Sequence, residues 1–98
     1  MTDKELLSLI NRRERQLLVH SYIYYELDDN IISDSTWSKW AFELVDLREK
    51  YPDVFTLSVY APYFLQFDGS TGYDLYSGYT RPEIIGKALY LLNIEKSR

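Results

Sequence analysis

His20–Pro52 reads HSYIYYELDDNIISDSTWSKWAFELVDLREKYP. The stretch holds the end of one helical pattern, a short turn and a complete second pattern. Trp37, Trp40, Ala41, Leu44, Leu47 and Tyr51 recur at spacings of 3, 1, 3, 3 and 4, which places them on one face of a 3.6-residue helix. Ahead of them, Ser33-Asp34-Ser35-Thr36 clusters the short oxygen-bearing side chains that accept from the free N–H groups of a helix's first turn. Pro52 predicts the end, because the residue before a proline resists the helical region. Asp28-Asp29-Asn30 supplies turn chemistry on the other side. Two helices joined by so short a loop predict an antiparallel αα-hairpin.

Upstream, Thr2-Asp3-Lys4-Glu5 has the spacing of a capping box. The helical pattern it opens runs to about Leu27, with Leu6, Leu7, Ile10, Leu17, Leu18, Ser21 and Tyr24 near one face. The polar run Asn11–Gln16 interrupts this stripe, which predicts little core for it to face. Downstream, residues 53–67 are apolar and aromatic with Pro62 among them, a pattern compatible with a short helix, a strand or an extended packed segment. Asp68–Gly72 reads as a turn, and the stretch to Gly78 as an ordered loop pinned by Tyr73, Leu75, Tyr76 and Tyr79. Thr80-Arg81-Pro82-Glu83 predicts a second capping box with proline in the first turn. Ile84, Ile85, Ala88, Leu89, Leu91 and Leu92 predict a third helix closing near Asn93, with Glu95–Arg98 as a frayed tail. Leu17, Leu18, Leu44, Leu47, Ile85, Leu89 and Leu92 are the expected core. The expected fold is mainly α: an antiparallel hairpin over 1–55, then an irregular aromatic-rich segment and a C-terminal helix over 56–98, all in one domain.

The 98 residues fit one domain. Eleven Lys+Arg against 15 Asp+Glu give a net charge of −4, which disfavours a general nucleic-acid binder, since that needs a basic footprint on phosphate. The absence of cysteine removes disulfides and thiolate chemistry and fits a reducing cytoplasm. Apolar runs are only a few residues long, too short for a membrane span, and no secretory leader is evident. Ten Tyr, two Trp and four Phe exceed what a small domain can hide, because such a chain buries only about 60% of its unfolded surface. Some rings must therefore line a pocket or an interface.

Catalytic patterns are scarce. His20 is the one histidine, without a second ligand at metal-binding spacing; beside a core stripe it reads as a partly buried, hydrogen-bonded residue. No serine sits in a nucleophile elbow, and no phosphate-binding glycine motif is present. Gln66-Phe67-Asp68-Gly69 lacks the lysine with which nucleotidyltransferases attack an α-phosphate. These residues predict no catalytic group and no metal.

Three features of His20–Pro52 together resemble the N-terminal helical domain of bacterial NAD-dependent DNA ligases: the pair Tyr24-Tyr25, the loop Ile32-Ser33-Asp34 with Asp34 nine residues beyond Tyr25, and the helix end Lys50-Tyr51-Pro52. The resemblance covers roughly residues 5–55. It implies a site for the nicotinamide mononucleotide (NMN) half of NAD, with Tyr24 and Tyr25 stacking on the ring and Asp34 contacting its amide or ribose. Trp37 stands where the family has tyrosine, and Ser38 where it has a second aspartate. Trp37 can stack; Ser38 shortens the reach and removes a charge, so the implied NMN or NAD binding is weak. The physical chemistry agrees, since a cationic pyridinium favours an electron-rich aromatic face and a nearby carboxylate. Packing of Tyr24 and Trp37 in the core, and capping of the second helix by Asp34, are the plain structural alternatives.

The adenylation and DNA-clamping modules of the ligases have no counterpart in residues 56–98, so no ligation is expected of the chain. Small relatives of this kind suggest phages and mobile elements. The favoured expectation is accordingly a cytoplasmic, non-catalytic, phage-type protein acting on a protein partner, for instance by inhibiting a host defence enzyme. Glu26, Asp28 and Asp29, clustered with Asp34, would engage the partner by occupying a basic groove. A nicotinamide-nucleotide sensor or sequestering protein is the alternative. The sequence gives no oligomeric state.

Overall fold

The computed structural model describes residues 1–97. It is mainly α-helical, with no strand among the described residues. Helix α1 (Asp3–Glu26) is followed by α2 (Asp34–Lys50), two four-residue helices, α3 (Pro52–Phe55) and α4 (Ala61–Phe64), a 3-10 turn (Tyr73–Leu75), the short α5 (Tyr76–Tyr79) and α6 (Pro82–Lys96). The long α1 is the spine: α2, α6, α5, α3 and the 3-10 turn all pack on it. Contacts move down α2 as they move up α1, from Arg13 paired with Glu43 at 3.1 Å to His20 beside Trp40 at 5.8 Å, the order of antiparallel neighbours.

Local chemistry sets most of the boundaries. The Thr2 hydroxyl accepts from Glu5 N at 3.1 Å and the Glu5 carboxylate accepts from Thr2 N at 3.0 Å, a complete capping box. Ser33, extended, caps α2 through Thr36 N. Tyr51 ends α2, and Pro52 opens α3 at a position where its missing N–H costs nothing. The expected second capping box is absent. Thr80 closes α5 and its hydroxyl donates back to the Tyr76 carbonyl, so Arg81 stands at the cap of α6 without a side-chain bond. Glu83 instead accepts from the Tyr60 hydroxyl at 2.9 Å.

The core joins Ile10, Leu17, Leu18 and Ile23 of α1 to Leu44 of α2, Phe55, Phe64, Leu75, and Ile84 and Ala88 of α6. On α6 the expected face is one residue out of step. Ile84 and Ala88 are buried, Ile85 and Leu92 are half-buried, and Leu89 is 49% exposed. This helix is apolar nearly all round, so periodicity offers more candidates than one face can bury. Leu47 is also only half-buried. The undetermined segment 53–67 resolves into two single helical turns that send Phe55, Phe64 and Phe67 inward. Arg48 holds it on α2 by donating to the carbonyls of Phe64 at 2.6 Å and Phe67 at 2.7 Å. In the next loop Leu75 and Tyr79 are buried, whereas Tyr73 and Tyr76 are exposed and only border their neighbours' rings.

The polar run in α1 is not idle. Glu14 is fully buried, one helical turn beyond Ile10 and one before Leu17 and Leu18. Its two oxygens accept from Ser58 Oγ at 2.7 Å and Tyr60 N at 3.1 Å, and Asn11 Oδ1 accepts from Val59 N at 2.9 Å. These side chains satisfy the backbone of the turn between α3 and α4, which faces α1 with no helix of its own to do so. Of the tail expected to fray, Glu95 and Lys96 belong to α6, Ser97 caps it, and Arg98 lies outside the described residues.

Candidate functional site

Between the end of α1 and the start of α2 lies a cavity of about 220 Å³. All five residues expected at a nucleotide site, Tyr24, Tyr25, Asp34, Trp37 and Ser38, line it. The two helices bring them together because Ser33 starts α2 just beyond the turn that ends α1. That turn closes with Asp29 N bonded to Ile23 O at 3.1 Å and with Asp28 at φ +50°, a left-handed conformation that aspartate tolerates better than most residues.

The three aromatic lining groups are held by neighbouring side chains. Tyr25 shares a hydrogen bond with Thr71 Oγ1 at 2.7 Å, and its ring lies parallel to that of Tyr79 at 6.2 Å. Tyr24 stands edge-on to Tyr25, 4.9 Å between centroids, and is 53% exposed. The half-buried Trp37 meets Phe67 edge-on at 6.1 Å. Asp34 is exposed at the first position of α2. Since Ser33 caps the helix, the Asp34 carboxylate is not consumed in that role. Three aromatic side chains, the Asp34 carboxylate and the Ser38 hydroxyl thus border one space.

Sequence reasoning missed part of this wall. Ser70, Thr71 and Gly72 close one side, and His20 and Ser21 lie on the α1 side. Burial lowers the His20 pKa, leaving a neutral imidazole at neutral pH. Both His20 Nδ1 and Ser21 Oγ are buried without a hydrogen-bond partner among the described residues, so His20 is partly buried but its Nδ1 is not satisfied. Gly72 sits directly on Ser21 and Trp37: an added Cβ would collide with Ser21 Oγ and come within 3.1 Å of Trp37 Cζ2. Gly72→Ala should therefore lift the 70–72 segment off α1, costing about 1–3 kcal/mol. A red shift of the tryptophan emission and a lower melting midpoint would register this, and an unchanged midpoint would show that the segment does not seal the cavity. Only Ser21, placed on the core stripe, gave a hint of this wall. The loop's approach is a tertiary event with no local signature.

Glu26, Asp28 and Asp29 occupy the turn beside the cavity. Glu26 accepts from the Tyr79 hydroxyl at 3.4 Å, and Asp29 accepts from Asn30 N at 2.8 Å and pairs with Lys96 at 3.5 Å. Burial and the Glu26 charge push the Tyr79 phenol up to about 12, so it remains a donor. Among the described residues no group of His, Cys, Asp and Glu could hold a metal ion, and no helix is long and apolar enough to cross a membrane.

Over 53 residues the chain is 32% identical to a protein of Thermotoga petrophila, a match covering 54% of this chain and 8% of that protein. The relatives are DNA ligases. The ligase of Pseudothermotoga lettingae is 38% identical over 47 residues, covering 48% of this chain and 7% of the enzyme, and that of Petrotoga mobilis is 51% identical over 37 residues, covering 38% and 6%. The chain thus corresponds to less than a tenth of the length of these ligases. No protein-family model and no solved structure matches it. The ligase relationship overturns the expectation of a phage-type, anti-defence inhibitor. The acidic cluster behind that expectation is also partly engaged within the chain, through Tyr79 and Lys96.

Proposed function

We propose that the chain is a ligase-related binding domain that takes the nicotinamide mononucleotide portion of NAD and performs no chemistry of its own. What supports this reading is that Tyr24, Tyr25, Asp34, Trp37 and Ser38, matched by resemblance alone, border a single cavity. A pyridinium ring fits such a border, its positive charge attracted by ring faces and by the Asp34 carboxylate. No lysine stands at Gln66, the position before Phe67-Asp68-Gly69 where a nucleotidyltransferase would carry its nucleophile. Incubation with labelled NAD and Mg²⁺ should accordingly leave no nucleotide on the protein, and a phosphoramidate adduct would overturn the non-catalytic part of the proposal.

Trp37 is a built-in probe, because nicotinamide quenches indole fluorescence on contact. NMN should quench saturably, with a dissociation constant on the order of 1 mM, about −4 kcal/mol. Trp40 lies outside the cavity border, against His20 and beneath the Arg13 guanidinium, and should report less. Ser38→Asp should tighten binding several-fold and Asp34→Ala should abolish it. Because Ser33 is the cap, Asp34→Ala removes only a favourable charge at the helix N-terminus, about 0.3–1 kcal/mol, and should stay folded. Linear, non-saturating quenching, identical in Ser38→Asp, would sink the reading.

A further inference from the structure

We infer that this cavity selects the unphosphorylated pyridinium nucleoside: it reads the cationic ring and leaves a 5′-phosphate unrecognised. The inference rests on the nicotinamide reading above and specifies its ligand class.

Charge decides the matter. Among the residues lining the cavity none is lysine or arginine, and the only carboxylate is that of Asp34. A phosphate dianion is normally met by guanidinium or ammonium groups, or by free N–H groups at a helix start. At the start of α2, Ser33 Oγ takes one of the first-turn N–H groups, that of Thr36, and the Asp34 carboxylate stands in the same turn, where a phosphate would have to approach. The turn joining Tyr25 to Asn30, both of which line the cavity, adds Glu26, Asp28 and Asp29. Of these Asp29 is neutralised by Lys96. Lys39 follows Ser38 on α2 but is exposed and does not line the cavity. The local field is therefore negative. It attracts a quaternary aromatic nitrogen and repels a phosphate.

Size points the same way. About 220 Å³ lies below the range of pockets that enclose drug-sized ligands, about 300–1,000 Å³. Ring and sugar can be sheltered, while anything beyond the ribose projects into solvent. Tyr25 is fixed edgewise by Thr71, and the wall at Gly72 is too close to Ser21 and Trp37 to recede without exposing them.

The test uses the whole chain, labelled with ¹⁵N, and follows the Trp37 indole N–H resonance. Nicotinamide riboside, NMN and 1,4-dihydronicotinamide riboside are titrated in parallel; the last keeps the sugar and amide but is neutral. The riboside should bind at least as tightly as NMN, and the dihydro compound about tenfold more weakly. Raising the salt concentration should weaken the riboside, as expected for an exposed attraction. Asp34→Asn should lose riboside affinity while narrowing its advantage over NMN. NMN binding more than about threefold tighter than the riboside would overturn this inference and leave the nicotinamide reading in place. Equal binding of the dihydro compound would show that the cation is not read and would also overturn it. No shift with any of the three would remove the nicotinamide reading itself.

Discussion

Leu44→Ala should lower the free energy of unfolding by about 2–5 kcal/mol, the range for a buried leucine whose site cannot fully collapse. Leu44 is 1% exposed at the centre of α2, joined in one core with Leu17 and Leu18 of α1. Small domains have only about 5–15 kcal/mol to lose, so the variant should melt far lower or be partly unfolded at room temperature. Denaturant titration measures this directly. Leu89→Ala is the matched control: Leu89 is 49% exposed, and its truncation should cost well under half as much. Equal losses at the two positions would mean that α6 is rotated from the orientation described.

The second large effect is a loss of stability as pH rises toward 7, with its source at Glu14. Burial raises the Glu14 carboxyl from an ordinary 4.5 to about 7, against the opposing pull of hydrogen bonds from Ser58 and Tyr60 N. The folded state therefore holds this proton more tightly than the unfolded chain. Its contribution is complete below about pH 4.5 and is lost as pH rises through about 7, with a span of roughly 3 kcal/mol. Glu5, Asp68 and Glu83 act oppositely. Backbone and hydroxyl donors at Thr2 hold Glu5 low, the Ser70 hydroxyl and N–H hold Asp68 low, and the backbone N–H of Glu83 with the Tyr60 hydroxyl holds Glu83 low. Their stabilisation disappears as pH falls below the carboxylate range, so a maximum on the acidic side of neutrality follows.

Glu14→Gln separates the two contributions. A glutamine oxygen can still accept from Tyr60 N. Its amide can donate to Ser58 Oγ while that hydroxyl keeps donating to Phe55 O, a bond already 2.7 Å long. The variant should be more stable than the native chain at pH 8 and should lose the fall in stability toward pH 7, keeping the opposite slope that the buried His20 imposes below its usual 6.5. Retention of the native slope would place the titrating group elsewhere. Glu14→Leu should destabilise at every pH, because it strands the Tyr60 N–H, at about 1–3 kcal/mol for a buried unsatisfied donor.

What the sequence disclosed was what is decided locally. Thr2 with Glu5, the Ser33 cluster and Pro52 set helix boundaries through bonds spanning three or four residues, and each boundary lies where those residues place it. The aromatic pair, Asp34 and Trp37 were legible through the ligase resemblance, and two consecutive helices joined by a short turn carry them to one cavity. Choices that depend on a distant partner were not legible. Glu14 looked like part of a solvated turn until Ser58 and Tyr60, more than forty positions away, came to rest on it. Its place in the row Ile10, Glu14, Leu17, Leu18 was the available clue. Thr80 and Glu83 have the spacing of a capping box, yet a preceding helical turn takes the hydroxyl and Tyr60 engages the carboxylate. Ser70–Gly72 became part of the cavity wall only through tertiary packing.

The spine arrangement of α1 governs how the molecule opens. Helix α1 carries α2 and also α6 and α5, so the ligase-like half and the remainder share one buried column of side chains. A partial opening that released either half would expose Leu17, Leu18 and Ile10 together. The amides in the middle of α1 should therefore exchange with solvent only through complete unfolding, while those of the Ser70–Gly72 wall exchange by local fluctuation. Hydrogen exchange would then divide the protein between a column that never opens in part and a cavity wall that does, instead of between a ligase-like module and an appendage.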